Sequence, residues 1–193
     1  VVKTIYPDGT FSSSEFDAQG RVIAEIDPLG NRKDMAYNSS GQLAQVQLPA
    51  VPNPLNGNAL ARPTYQYEYN ALGQMTKLID ANNRATQFQF DSAGRSTGRT
   101  LPLGNQESFA YHTRGRQLLQ VTFEGIYVRM VYDDSATGGG RLSEKQFFDN
   151  AVVYNNGSGT PTERLVYSYD AFGRIVQQQH IRPTVTDTYT TTY

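Results

Sequence analysis

The sequence predicts an all-β fold, in which tandem antiparallel β-hairpin repeats form one continuous, curved or spiralling sheet. Three observations predict it. An aromatic ring followed by a small polar residue, a short spacer and a glycine recurs at Phe16, Tyr37, Tyr69, Phe90, Tyr111, Tyr132 and Tyr169, with starts 21, 32, 21, 21, 21 and 37 residues apart. About eleven residues after these aromatics comes a second turn ending in Gly or Asn, as in Asp27-Pro28-Leu29-Gly30 and Leu101-Pro102-Leu103-Gly104. The segments between turns alternate polar and apolar residues, most clearly in Tyr65-Gln66-Tyr67-Glu68-Tyr69, which is the period of a half-buried strand. A fixed period of this kind marks a repeat array.

Each turn has a physical reason to reverse the chain. Pro prefers the second position of a type I turn, and a following Gly or Asn can enter the left-handed region, which together give a hairpin with a glycine bulge. In the aromatic-led turns, Asp17, Asp91 and Asp170 can accept backbone N–H groups ahead of them while Gly20, Gly94 and Gly173 take the positive φ. The same frame assigns turn roles to Gly41, Gly73, Gly115 and Gly140 after the other aromatics, and to Gly30, Gly104 and Gly125 at the intervening turns. The opening Tyr6-Pro7-Asp8-Gly9 fits a partial unit before Phe16. Six or seven residues remain between turns, an ordinary strand length.

The long spacings place their extra residues in loops, near 49–62, 135–140 and 147–162, so that one β-array spans 1–193 with strand segments of constant length. Seven units of two strands give about fourteen strands and a ribbon roughly 65 Å wide. Sheets beyond about ten strands tend to curl, and strand twist and bulges favour curling here. Both ends read as lying inside the array, so a longer natural protein is expected.

Composition narrows the function. With 38% hydrophobic residues, mean hydropathy -0.54 and 13 Tyr in 193 residues, a thick aliphatic core is not expected, and Tyr rings can cover a sheet while their hydroxyls reach water or a partner. The aromatic at each repeat start therefore reads first as structural, with rings able to stack across neighbouring strands. A net charge of -1 without a Lys or Arg cluster gives no footprint for nucleic acid. No run of 18 apolar residues is present, so this segment does not insert in a membrane, and the absence of Cys removes disulfide and thiol chemistry.

Candidate chemistry is sparse. His112 occupies the Asp or Asn slot of a repeat turn and reads as a turn residue, and no nucleophile, zinc or nucleotide motif accompanies it or His180. Gly138-Gly139-Gly140 lacks the Lys and the strand-to-helix setting of a phosphate cradle and reads as a hairpin tip. Asp17, Asp91, Asp133 and Asp170 recur at turns, but Asn38, Asn70 and His112 share their slot, which argues against a calcium ladder. Arg21, Arg95, Arg116, Arg141 and Arg174, each following a glycine, are expected to pair with cross-strand carboxylates or backbone. Asn38-Ser39-Ser40 and Asn156-Gly157-Ser158 match the glycosylation sequon. No enzyme activity, cofactor or metal is expected.

The motif of aromatic-Asp, two residues and Gly-Arg, with Asp-Pro-x-Gly about ten residues on, resembles the RHS or YD-repeat family. YDAFGRI at Tyr169, FDSAGRS at Phe90 and DPLGN at Asp27 carry the resemblance. It implies a β-hairpin strip that spirals into a hollow shell, as in bacterial polymorphic toxins, toxin complexes and teneurins. In bacterial members the shell encloses and helps deliver a C-terminal toxin. The implied partners are neighbouring repeats, an enclosed toxin cargo, and secretion machinery or cell-surface glycans, and the implied location is secreted or at the cell surface. The shell-closing, self-cleaving segment of many members has no counterpart here. A second reading, a carbohydrate- or cell-surface-binding module, stands beside encapsulation, because Tyr rings stack on sugars and Asn, Gln and Asp bond hydroxyls.

Overall fold

The computed structural model describes residues 1–135, 139–151 and 159–192 and divides the chain into two compact units, Val1–Phe88 and Gln89–Tyr193. The first unit runs through β1 (Val2–Ile5), β2 (Phe11–Phe16), β3 (Val22–Ile26), β4 (Arg32–Tyr37) and β5 (Leu43–Gln47). It continues with β6 (Val51–Asn53), β7 (Ala59–Ala61), β8 (Thr64–Tyr69), β9 (Met75–Ile79) and β10 (Ala85–Phe90), the division falling inside β10. The second unit holds β11 (Ser96–Thr100), β12 (Gln106–Tyr111), β13 (Gln117–Val121), β14 (Tyr127–Asp133), β15 (Arg141–Phe148), β16 (Glu163–Tyr169), β17 (Ile175–Ile181) and β18 (Thr186–Thr190).

Each unit is an open antiparallel meander in chain order. In the first unit the order is β1-β2-β3-β4-β5-β8-β9-β10, and in the second it runs from β11 to β18. Consecutive strands pair because the short turns allow nothing else, and a tight hairpin turn joins antiparallel strands directly.

The insert after β5 is ordered. Where a loop near 49–62 is expected, β6 and β7 pair as a separate two-stranded hairpin around a 3-10 turn at Pro54–Asn56. Arg62 fastens its exit: the guanidinium donates to the Leu48 carbonyl at 3.0 Å and the Arg32 carbonyl at 2.8 Å, and pairs with Asp34 at 2.7 Å. The other two loops lie partly outside the described residues, with Gly138 in one and the Asn156 sequon in the other. Strand length is not constant: β1 to β13 hold at most six residues, whereas β14 to β17 hold seven or eight.

The core is thin, since a single sheet layer buries little. Among the described residues the buried apolar side chains are Ala24, Val46, Val128 and Phe148. Stability must therefore come largely from turn chemistry and cross-strand contacts rather than from a packed interior.

Candidate functional site: a lock between successive hairpins

Eleven turns among the described residues share one backbone pattern, in which residue i donates to the carbonyl of i+4 and the N–H of i+3 returns to the carbonyl of i. Asp17 shows it with bonds of 2.9 Å to Arg21 and 3.1 Å from Gly20. This is a type I turn closed by a left-handed residue. The ten glycines assigned to turns from the sequence, Gly20, Gly30, Gly41, Gly73, Gly94, Gly104, Gly115, Gly125, Gly140 and Gly173, have φ between +71 and +89. Asn83 fills the corresponding position of its turn with φ +60.

The repeat aromatics end strands. Phe16, Tyr37, Tyr69, Phe90, Tyr111 and Tyr169 are the last residues of β2, β4, β8, β10, β12 and β16, and Tyr132 is the penultimate residue of β14. A second bulge lies beside them. Tyr37 faces Leu43 while Ala36 faces Gln45, leaving Ala44 as an extra residue, and the same shift occurs next to Phe16, Tyr69, Tyr111, Tyr132 and Tyr169. Such a bulge raises the local twist.

The aromatic-edge turns at Asp17, Asn38, Asn70, Asp91 and Asp170 are each held by a matched side-chain pair. Asp17 Oδ1 accepts the N–H groups of Gln19 and Arg21 at 2.9 Å while Oδ2 accepts Arg21 Nε at 2.7 Å. Asp91 and Arg95, and Asp170 and Arg174, repeat this arrangement. In the turns at Asn38 and Asn70 the ion pair becomes a neutral one, with Asn Nδ2 donating to Gln42 or Gln74 Oε1 at 3.1 Å. Arg21, Arg95 and Arg174 thus close on their own turn rather than on cross-strand carboxylates, because Asp and Arg four apart flank a turn that brings them face to face. Arg116, whose turn has His112 in the carboxylate slot, reaches Asp134 with bonds of 2.6 and 3.0 Å.

The repeat guanidinium also reaches the next hairpin. Arg21 lies 4.5 Å over the Tyr37 ring, Arg95 4.7 Å over Tyr111, Arg116 4.7 Å over Tyr132 and Arg141 5.8 Å over Tyr169. Each contact is a cation over a π face. Tyr hydroxyls bond backward at the adjacent residue: Tyr37 to the Val22 carbonyl, Tyr69 to Leu43 and Tyr132 to Gln117 at 2.8 Å, and Tyr169 to Leu142 at 2.7 Å. The lock spans 15 residues in regular units and 26 or 27 across the inserts, so inserts leave it intact. Tyr69→Phe, which removes one hydroxyl and keeps the ring, is expected to cost about 1 kcal/mol, measured by chemical denaturation.

Glycine completes the lock from below. A Cβ at Gly173 would lie 3.0 Å from the Arg141 guanidinium, at Gly140 3.2 Å from Arg116 and at Gly41 3.4 Å from Arg21. At Gly73 the neighbour is Gln42 Nε2, at 3.4 Å, which also donates to the Gly73 carbonyl at 3.1 Å. At Gly30, Gly104 and Gly125, on the opposite edge, a Cβ would meet nothing within 4 Å.

The carboxylates of these turns are tuned toward ionisation. The Arg95 N–H holds the Asp91 carboxyl below the usual range, against desolvation and with help from the Arg95 guanidinium. Arg174 does the same for Asp170. At Asp17 desolvation is the largest influence and pushes upward, yet the bonds from Arg21 and Gln19 outweigh it. Among the described residues no group of three or more His, Asp or Glu is placed to hold a metal, and no helix is long and apolar enough to cross a membrane. Phe16 and Phe90 lack the hydroxyl anchor, and Gln42, Gln74 and Asp134 are lock residues that composition and turn type did not single out. A signal for the Gln residues is present in the aromatic-edge turns: the residue after Gly is Arg where the turn begins with Asp and Gln where it begins with Asn.

Known proteins are similar to this chain in sequence and fold. The RHS Repeat family matches residues 69–106. The chain is similar to Double-stranded DNA deaminase toxin A of Burkholderia cenocepacia (strain H111), at 28% identity over 179 residues, covering 93% of this chain and 11% of that protein. Its fold is similar to a chain in the Photorhabdus luminescens Tc holotoxin pore with a TccC3 mutation, at TM-score 0.50 and 15% identity, over 94% of this chain and 11% of that one. TcdB2-TccC3 without its hypervariable C-terminal region aligns at TM-score 0.47 and 15% identity, over 93% of this chain and 12% of that one. The chain therefore spans about a ninth of the length of these relatives.

Proposed function

We propose that this chain, whose residues 69–106 match the RHS Repeat family, is a wall segment of an RHS/YD-repeat shell that encloses, and helps deliver, a toxin domain carried elsewhere in the same polypeptide. Its role in the toxin-associated repeat is structural. The observation that carries this reading is the lock: guanidinium, ring, hydroxyl and glycine of successive hairpins are spent on one another. Such a site joins repeats. Repetition of one joint extends a sheet without a closing partner, which is what a wall needs.

Enclosure explains why a thin, polar sheet would be kept at such length. A toxin held behind it is shielded from the producing cell until release, and a secreted route follows from that role. Partners would be the adjoining repeats and the cargo, with secretion machinery or surface glycans engaged from outside. The glycan-binding alternative is less well supported, because Tyr37, Tyr132 and Tyr169 each carry a guanidinium over the ring and a hydroxyl bonded to backbone.

Limited proteolysis of the intact parent protein tests the proposal. The domain following the repeats is expected to survive protease concentrations that degrade it when expressed alone. Replacing Arg95, Arg116 and Arg141 together by Ala is expected to expose it. Equal cleavage of the domain inside and outside the parent would refute enclosure.

A further inference from the structure

His112 stands where five other aromatic-edge turns carry Asp17, Asn38, Asn70, Asp91 or Asp170. In those turns an oxygen, which is always able to accept, caps the backbone N–H two residues ahead. In this turn the cap is a ring nitrogen: the Arg114 N–H donates to His112 Nδ1 at 3.1 Å, and the Thr113 hydroxyl lies 3.4 Å from the same atom. A ring nitrogen accepts only while it carries no proton, so the cap requires the neutral imidazole with its hydrogen on Nε2.

We propose that His112 is a proton-sensitive weak point in the ladder of turns, and that proton uptake on Nδ1 unfastens the 112–116 turn in mildly acidic solution while the other turns stay capped. Adding the proton converts the acceptor into a donor aimed at another donor. It also adds a cation beside Arg114 and Arg116 on the same turn. From the preceding turn the neighbours are the paired Asp91 and Arg95, whose Nη1 donates to the His112 carbonyl at 3.2 Å. From the following turn the neighbour is Asp134, already bound twice by Arg116. A charged ring is attracted by Asp134, but Arg116 already holds both oxygens of that carboxylate, and the Arg114 N–H loses its acceptor.

Histidine is the side chain whose charge changes between about pH 5 and 8, whereas carboxylate caps keep their charge until far lower pH. Because the cap needs an unprotonated nitrogen, the stabilisation it supplies is lost wherever the ring gains a proton. Arg116 is the guanidinium that locks Tyr132, so an opened turn loosens the joint to the next hairpin. His180 has the opposite sign: its Nε2 lies 2.7 Å from Glu163 Oε2, a contact that protonation strengthens. The inference concerns the ladder itself and stands whatever the array encloses.

Hydrogen exchange read by mass spectrometry on the intact protein tests it, with residues 109–118 compared against 88–97, which hold the Asp91 turn. After correction for intrinsic rates, exchange in the first segment is expected to rise about tenfold relative to the second between about pH 7.5 and pH 5.5. His112→Asn is expected to fold, since Asn caps two equivalent turns, and to abolish the rise. His180→Gln is expected to leave it. No rise in the parent protein, or the same rise in His112→Asn, would overturn the proposal.

Discussion

Gly173→Val is expected to lower the unfolding free energy by about 2 kcal/mol or more, while the same change at Gly30 costs only about 1–2 kcal/mol. Both residues hold φ +83, so both substitutions place a β-branched residue in the left-handed region. The difference comes from the neighbour. At Gly173 the new side chain displaces the Arg141 guanidinium from its seat 3.0 Å away and from the Tyr169 ring, whereas at Gly30 it meets open space. Asn sharpens the contrast, because the native Asn83 shows that this turn accepts it on the open edge. Gly30→Asn should be nearly silent and Gly173→Asn should not. Denaturant midpoints for the four variants decide the matter, and equal losses at the two sites would show that the guanidinium contributes nothing through its seat.

Asp91→Ala is expected to shift the folding equilibrium by on the order of tenfold toward the unfolded chain, since it strips one turn of two backbone caps and an ion pair. The double change Asp91→Asn with Arg95→Gln should recover most of that loss. It recreates the pair that already holds the turns at Asn38 and Asn70. Asp91→Asn alone and Arg95→Gln alone are each expected to be worse than the double, a coupling that a double-mutant cycle measures directly.

The charged pairs also fix an acid limit. Asp17, Asp91 and Asp170 titrate below their ordinary range in the folded protein. The unfolded chain therefore binds these protons first, and the stability they supply is complete above the ordinary carboxylate value of about 3.9. It is lost as pH falls below that value through the lower folded range. Making Asp91→Asn and Arg95→Gln together should reduce this acid sensitivity, and unfolding midpoints followed from neutral pH downward would show it.

Turns were the most legible part of the sequence, because a Pro at the second position and a Gly or Asn at the fourth restrict φ locally, without help from distant residues. Inserts were legible as positions but not as structures. Residues 49–62 look like loop because Pro, Asn and Gly dominate, yet Val51–Asn53 and Ala59–Ala61 pair across the 3-10 turn, with Arg62 fixing the exit from three carbonyls. The lengthened strands β14 to β17 escaped notice for a related reason, since nothing local tells a strand to continue when its partner does. Arg pairing is legible in part: Arg95 and Arg116 reach the His112 and Gly140 carbonyls, backbone partners as expected, whereas the carboxylate that Arg21 meets is Asp17 of its own turn.

Amino-acid order by itself determined where this chain reverses, how often it does so, and which strands pair, since a short turn with a left-handed residue leaves the following strand only one neighbour to bond. Only the tertiary arrangement decided what the repeat arginine and tyrosine do. The guanidinium seated on the next glycine, and the hydroxyl bonded to a carbonyl 15 to 27 residues away, depend on two hairpins lying side by side, and through-space contacts of that length leave no mark in local sequence beyond the residue types themselves.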